Sequence, residues 1–166
     1  MITVGYSTRK TNPEYKKILQ KTCMYKEIEI IEKVNNGEKS LSKVYNEILN
    51  ESKHDIVVLL HDDLEFDTNK WGDRILKIVE SNPDYGIIGL AGTTEMPKSG
   101  TWWNDRTKMY GIVNHKHEGK KWESKYSPNL GNDLQNVVVV DGLFIIINKK
   151  NIYNKLKISF ISIFFT

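Results

Sequence analysis

The chain has 166 residues, of which 27% are charged and 39% hydrophobic, and its formal net charge at pH 7 is +3. This composition indicates a folded domain with a proper core and excludes a disordered chain. The charge is too small and too evenly mixed for a nucleic-acid-binding surface, so we expect no nucleic-acid partner. Cys23 is the single cysteine, which excludes an internal disulfide and a cysteine-rich zinc site and suits a reducing cytoplasm.

The first part of the chain alternates between segments with strand and helix patterns. Asn12 followed by Pro13 is typical of a helix N-terminus, and Ser40 is placed to cap a second helix. Because helices separate the successive strands, we expect a parallel sheet with helices on both faces. The predicted strands cover residues 2–8, 27–34, 55–63 and 85–92, and the predicted helices cover 12–23, 41–52 and 70–81.

The pattern then changes. Residues 95–136 carry three tryptophans, two histidines and one short predicted strand at 110–115, which favours a functional loop region. Residues 137–147, VVVVDGLFIII, predict a buried strand that Asp141 and Gly142 interrupt.

Two adjacent carboxylates follow the apolar run of the third predicted strand, in the sequence VVLLHDDLEF. Asp62 and Asp63 are therefore expected at the carboxyl edge of the sheet, where open α/β folds bind ligands. Adjacent carboxylates repel each other unless a cation or a proton compensates them. Their oxygens suit Mg²⁺ or Mn²⁺, which keep waters and borrow ligands from a substrate diphosphate. The pattern favours a metal–diphosphate site over two carboxylates that merely end a strand.

Other residues suggest weaker candidate sites. His115 and His117 could hold a metal with Glu118, since alternate residues of a strand share one face, but the flanking lysines favour solvated side chains. Trp71, at the start of a predicted helix, is expected in the core. Three further tryptophans either stack on a sugar or base, or form a local core under a long loop; they are Trp102, Trp103 and Trp122.

Three segments, taken in order, resemble nucleotide-sugar glycosyltransferases of the GT-A fold, in the family-2-like group of bacterial inverting enzymes. They are ITVGYSTR at 2–9, SLSKVYNEILNESKHDIVVLLHDDLEF at 40–66 and VVVVDGLFIIINKK at 137–150. The resemblance implies an α/β/α three-layer sandwich with a mostly parallel central sheet. It also implies one domain over 1–166, with a nucleotide-binding half at 1–94, an acceptor-side half at 95–150 and an atypical apolar tail at 151–166.

The resemblance also assigns residues to roles. Asp62 and Asp63 match the metal-binding motif, and His61 stands where many relatives carry another aspartate. Asp141 is the candidate catalytic base, beside Gly142 on the acceptor side. The remaining residues that the resemblance places at the nucleotide or the diphosphate are Tyr6, Ser7, Thr8, Arg9, Glu32, Lys43 and Asn46. Trp102 and Trp103 are expected sugar contacts because of their aromatic rings.

The activity so implied is metal-assisted, inverting transfer of a sugar from a nucleotide-diphosphate sugar to a cell-envelope glycan or lipid-linked acceptor. The metal would be Mn²⁺ or Mg²⁺. No Asp or Glu follows Asp141, where the resembled enzymes carry a further acidic motif, and the chain is expected to be truncated there. Two alternatives stay open. Either Asp141 or a residue of 95–136 is the base, or the chain binds nucleotide sugars without turnover.

Two remaining expectations concern other functions and the tail. A phospho-aspartate domain is disfavoured because the first strand, 2–8, carries no acid. The apolar tail at 151–166 is too short to span a bilayer. It suggests burial in the sheet, a homo-oligomer, aggregation, or a contact with the inner face of the membrane, and we expect a cytoplasmic protein.

Overall fold

The computed structural model describes residues 1–23, 28–126 and 134–153. The chain forms two compact units, the first made of Met1–Ile88 with Gly142–Thr166 and the second of Gly89–Asp141. Most of the apolar tail, residues 154–166, lies outside the described residues. No helix in the described ranges is long and apolar enough to cross a membrane.

The elements follow in chain order. They are β1 (Thr3–Thr8), α1 (Pro13–Cys23), β2 (Glu29–Val34), α2 (Leu41–Glu51), β3 (Ile56–His61), α3 (Trp71–Ser81), β4 (Ile87–Gly89), β5 (Ala91–Thr93), a 3₁₀ turn (Trp102–Asn104), β6 (Met109–His117), β7 (Lys120–Lys125), β8 (Val139–Val140), β9 (Phe144–Asn148) and α4 (Lys149–Tyr153).

The predicted starts of the first two helices are confirmed by their caps. The Asn12 side chain accepts a hydrogen bond from the Tyr15 backbone N–H at 3.1 Å, ahead of Pro13. The Ser40 hydroxyl accepts one from the Lys43 backbone N–H at 3.4 Å. Each cap satisfies one of the backbone donors that a helix leaves unpaired at its first turn.

The first unit contains a five-stranded mixed sheet in the order β2-β1-β3-β9-β4. Parallel pairing joins β1 to β2 and β1 to β3, with Tyr6 opposite Glu32 and Ser7 opposite His61. The predicted parallel arrangement therefore holds for the first three strands. The sheet is mixed because β9 runs antiparallel to β3. A parallel strand needs a crossover connection, which is usually a helix. Among the described residues no such helix precedes β9, which is consistent with its antiparallel direction.

Helices cover both faces of this sheet, as expected for three layers. On one face Val4 and Tyr6 join the α1 and α3 side chains in a single core. Trp71 belongs to this core, as predicted, and stacks on Phe66 with ring centroids 4.5 Å apart. On the opposite face α2 packs against β1 so closely that a methyl group on Gly5 would overlap the Ile48 side chain.

Two predicted strands are each divided between the two units. The segment 85–92 forms β4 in the first sheet and β5 in the second, and the segment 137–147 forms β8 in the second and β9 in the first. Continuous apolar runs conceal such a break, because a strand that changes sheets keeps the same composition. The second break falls at Asp141 and Gly142, the point at which the sequence interrupts its apolar run.

The second unit is a four-stranded antiparallel sheet in the order β7-β6-β5-β8. Its small core is made of Ala91, Trp102 and Met109, against which Val113 and Tyr126 pack. The prediction of a long loop with one short strand at 110–115 was wrong here, because β6 and β7 form a hairpin. The β7 sequence, KKWESK, offers one large apolar side chain, so it lacks the alternation by which a strand is recognised.

The contact between Gly5 and Ile48 predicts the effect of a single added methyl group. Gly5→Ala should lower the free energy of unfolding by about 1–3 kcal/mol, since a buried overlap forces α2 away from the sheet. Urea denaturation measures this loss. The double variant Gly5→Ala/Ile48→Ala is the control, because the added methyl then enters the space left by Ile48. If the double variant lost as much free energy of unfolding as the sum of the losses in Gly5→Ala and Ile48→Ala, the proposed overlap would be contradicted.

Candidate functional site

The carboxyl end of β3 is the centre of the candidate site. Asp62 and Asp63 lie in a turn directly after His61, and both side chains are exposed. Ser7 of β1 is paired with His61, and the Leu143 carbonyl accepts the His61 backbone N–H at 3.2 Å. The ends of β1 and β3 and the residues that precede β9 therefore meet at the edge where the two carboxylates stand.

Two tyrosines from opposite faces of the sheet fix this end of β3. The Tyr15 hydroxyl, from α1, donates to the His61 carbonyl at 3.0 Å. The Tyr45 hydroxyl, from α2, donates to the Leu60 carbonyl at 3.4 Å. The sequence analysis did not identify these contacts. Their only signal is the position of each tyrosine on the apolar face of its helix.

The tyrosine hydroxyls also respond to the nearby carboxylates. Burial raises the pKa of Tyr15 far above its usual value, and the charges of Asp63 and Asp62 raise it further. Burial likewise raises the pKa of Tyr45, with a second contribution from Asp62. Both hydroxyls therefore stay protonated and act as donors to the backbone carbonyls at the end of β3.

Glu32 is a buried carboxylate beside the same edge, with 5% of its side chain exposed. It accepts hydrogen bonds from the Tyr6 hydroxyl at 3.0 Å and from the Asn12 backbone N–H at 3.2 Å, and it pairs with the Lys16 ammonium at 2.9 Å. Burial pushes its pKa up, but the hydrogen bonds, from Lys16 first, outweigh burial and hold the pKa below its usual range. These contacts tie β1, β2 and α1 together. The expected contact of Glu32 with a nucleotide base stays a prediction.

The residues at the end of β1 differ in what they offer to a ligand. Tyr6 is fully buried and packs edge-to-face on Tyr15, with centroids 5.3 Å apart. The Thr8 hydroxyl is buried and donates to the Lys10 carbonyl at 2.9 Å. Ser7 is half-buried and Arg9 is exposed, so these two present side-chain atoms at the surface.

Lys43 and Asn46 lie on the exposed face of α2. Helical geometry places them opposite the side chains by which α2 packs on the sheet, which are Val44, Tyr45, Ile48 and Leu49. Their expected contact with the nucleotide and diphosphate therefore gains no support from the packing and stays a prediction.

In the second unit, Trp102 is 5% exposed and packs on Tyr126 with centroids 5.8 Å apart, so the local-core interpretation is confirmed for this residue. Trp103 is 53% exposed and meets Trp102 edge-to-face. The Asp141 backbone N–H donates to the Ala91 carbonyl at 2.8 Å, which places Asp141 just after β8. Gly142, the next residue, is buried in the first unit.

Asp62 and Asp63 could hold a metal ion only if water or a bound diphosphate supplied its other ligands. Among the described residues, no three His, Cys, Asp or Glu side chains converge as metal ligands. Asp62 and Asp63 alone supply two adjacent, exposed carboxylates. Such a pair suits a hard divalent ion that takes its other ligands from water and a diphosphate. His115 stacks on Trp122 with ring centroids 4.9 Å apart, and the weaker candidate metal site at His115, His117 and Glu118 stays a prediction.

Comparison with known families matches this chain to one of them. The model of a family described as "Glycosyltransferase like family" matches residues 14–156, which covers most of the chain. A search of curated proteins gave no match. The matched range contains both carboxylates of the candidate site and the strand β9 that returns to the first sheet.

The lowered pKa of Glu32 predicts a pH-dependent contribution to stability. That contribution is fully present above the unfolded-state pKa of about 4.3 and is lost as the pH falls through the lower folded-state pKa. Glu32→Gln should lower the free energy of unfolding at pH 7 by about 1–2 kcal/mol. It should also flatten the loss of stability on acidification. Urea denaturation at a series of pH values measures both effects.

The matched control for Glu32 is Glu14→Gln. Glu14 pairs with Lys17 on the surface, and its side chain is 74% exposed, so its loss should change stability little. If the two variants showed the same acid dependence as the unmodified protein, Glu32 would not be the titrating group that the geometry indicates.

Proposed function

Because the chain belongs to a glycosyltransferase-like family, we propose that it transfers a sugar from a nucleotide-diphosphate sugar to a glycan or lipid-linked acceptor, with inversion. The observation that carries the proposal is the position of Asp62 and Asp63, which are exposed at the carboxyl end of β3. Open α/β sheets bind ligands at this end of their strands.

The donor would lie along the ends of β1 and β3. Ser7 and Arg9 offer a hydroxyl and a cation there, and the Arg9 guanidinium suits a phosphate oxygen. Asp62 and Asp63 would hold Mn²⁺ or Mg²⁺ next to the diphosphate. When bound, such an ion acts as a Lewis acid that neutralises the charge developing on the departing nucleoside diphosphate.

The chain's own contribution is to hold these groups in place. The Tyr15 and Tyr45 hydroxyls fix the carbonyls immediately before the two carboxylates. A turn anchored in this way loses little freedom when a ligand binds, and such preorganisation favours affinity. Asp141 is proposed as the base that takes the proton from the acceptor hydroxyl, which requires hydrogen-bond reach in the complex.

Donor binding tests the proposal first. Calorimetric titration of UDP, GDP and their sugar conjugates should show binding that depends on Mn²⁺. The double variant Asp62→Asn/Asp63→Asn should weaken that binding by about tenfold or more, which corresponds to about 1.4 kcal/mol. Asp67→Asn, an exposed aspartate in the same loop, is the matched control and should bind as the unmodified protein does. Absence of binding to the folded protein would refute the proposed donor site.

Turnover is tested separately from binding. With a donor that binds, release of nucleoside diphosphate in the presence of acceptor glycans should fall about 100-fold or more in Asp141→Asn, while donor affinity stays unchanged. Undiminished release in this variant would place the base elsewhere in the chain. Donor binding without release under any acceptor condition would favour the alternative of a nucleotide-sugar-binding protein that lacks turnover.

A further inference from the structure

The β6–β7 hairpin of the second unit is largely exposed, and the proposed reaction assigns it no role. Its two strands are joined by Glu118 and Gly119 alone, with φ of 48° and 78°. Positive φ at both central residues is typical of the turn that matches the twist of paired strands. The register is fixed by cross-strand pairs, among them His115 with Trp122 and His117 with Lys120.

One face of this hairpin carries a fixed pair of aromatic rings. The His115 and Trp122 rings lie nearly parallel, with centroids 4.9 Å apart and an interplanar angle of 6°. The His115 Nε2 atom is hydrogen-bonded to the Ser124 hydroxyl at 3.0 Å, which restrains the imidazole. Val113, two residues before His115 on the same face, packs into the core of the second unit. The packing of Val113 therefore attaches the strand that carries His115 to the core of the second unit.

The stack leaves one face of the Trp122 indole open. β7 is the edge strand of its sheet, so Trp122 has β6 on one side and no described strand on the other. Since His115 covers the side toward β6, the opposite indole face points outward from the edge. Half of the Trp122 residue is exposed, at 50%. A flat, orientated apolar surface of this kind is unusual on a strand otherwise made of charged and polar residues.

Charged side chains lie on the same hairpin as the Trp122 indole. Residues 109–125 contain four lysines and two glutamates. Lys120 is exposed and lies two residues before Trp122, so both side chains stand on the same face of β7. The Lys120 backbone pairs with His117 across the hairpin, and its side chain is exposed, so its ammonium can reach a ligand. An exposed donor therefore stands beside the indole.

We propose that this face of the hairpin, which we call the hairpin platform (His115, His117, Lys120 and Trp122), binds the glycan acceptor. A sugar ring presents a face of C–H groups edged by hydroxyls. The C–H face of the sugar fits the open face of the indole. The Lys120 ammonium donates a hydrogen bond to a ring oxygen, a hydroxyl or a carboxylate of the same glycan. The inference rests on the proposed function, because it names the acceptor of that transfer as the occupant.

The test is direct binding of oligosaccharides in the absence of donor. Tetrasaccharides of neutral hexoses, of N-acetylhexosamines and of uronic acids are titrated against the ¹⁵N-labelled protein, and the indole N–H signals are followed. The Trp122 signal is assigned by its loss in Trp122→Tyr. A saturable shift of this signal with at least one class is expected, together with shifts of the backbone amide signals of β6 and β7. In the variants, which lack the indole signal, affinity is measured from those backbone amides. Trp122→Ala should weaken the binding by about tenfold, and Trp122→Tyr by less, since a smaller aromatic face remains.

Two adjacent lysines supply the matched control. Lys120 lies on the platform and Lys121 on the opposite face of the same strand. Lys120→Ala should weaken glycan binding about threefold, more for uronic acids than for neutral sugars, and Lys121→Ala should leave it unchanged. Equal effects of the two lysine variants would overturn the proposal. So would a Trp122 signal that no class shifts at about 10 mM, a concentration that detects millimolar affinity.

The donor titration, run on the same variants, separates the two proposals. Glycan binding that depends on Trp122, together with absent donor binding, would leave the platform standing and refute the proposed transfer. Donor binding that depends on Asp62 and Asp63, with no Trp122-dependent glycan binding, would support the transfer and overturn the platform.

Discussion

Burial of β3 on both faces is the constraint on which the candidate site depends. Val57 and the three residues after it are fully buried, and the strand is paired with β1 on one side and β9 on the other. A strand in this position has no room for an ionised group, because an unpaired buried charge is costly. The first carboxylates that follow it must therefore stand at the edge of the sheet. Asp62 and Asp63 occupy that edge.

Glu32, the neighbouring acidic residue, is buried, whereas Asp62 and Asp63 are exposed. Glu32 is buried, yet it stays ionised because a lysine, a backbone N–H and a tyrosine hydroxyl surround it. The same edge thus carries one carboxylate that the protein has fully satisfied and two that it leaves to solvent. Only the second kind has coordination capacity to spare. This contrast separates a carboxylate that organises the fold from carboxylates that can serve a ligand.

Local sequence patterns predicted those parts of the fold that depend on local physics. Asn12 and Ser40 marked helix starts because their side chains can satisfy free backbone donors. The short apolar run before His61, rich in β-branched residues, indicated a buried strand. The breaks in 85–92 and 137–147 were not predictable in the same way, since a strand keeps its composition when it passes from one sheet to another. The hairpin was missed because β7 carries so few apolar residues.

The candidate site was predictable to a similar degree. Asp62 and Asp63 could be found because two acids after an apolar run have few purely structural explanations. Tyr15 and Tyr45 could not, since a tyrosine on an apolar helix face gives no sign of which carbonyl its hydroxyl will reach. Lys43 and Asn46 were proposed from the family resemblance alone, and helix periodicity places them on the exposed side of α2. The position of a residue along the chain can predict that it lies near a site. Which way its side chain points depends on the periodicity of the helix or strand that carries it.

The edge position of β7 has a consequence for how the protein behaves at high concentration. A strand with one unpaired side is a template onto which another chain can add a strand of its own. Lys120, Lys121 and Lys125 place charge along this border, and a second copy approaching it would bring the same charges into opposition. Such repulsion disfavours strand addition between molecules. The polar composition that made β7 hard to recognise from sequence thus also disfavours pairing of this strand between two copies of the chain.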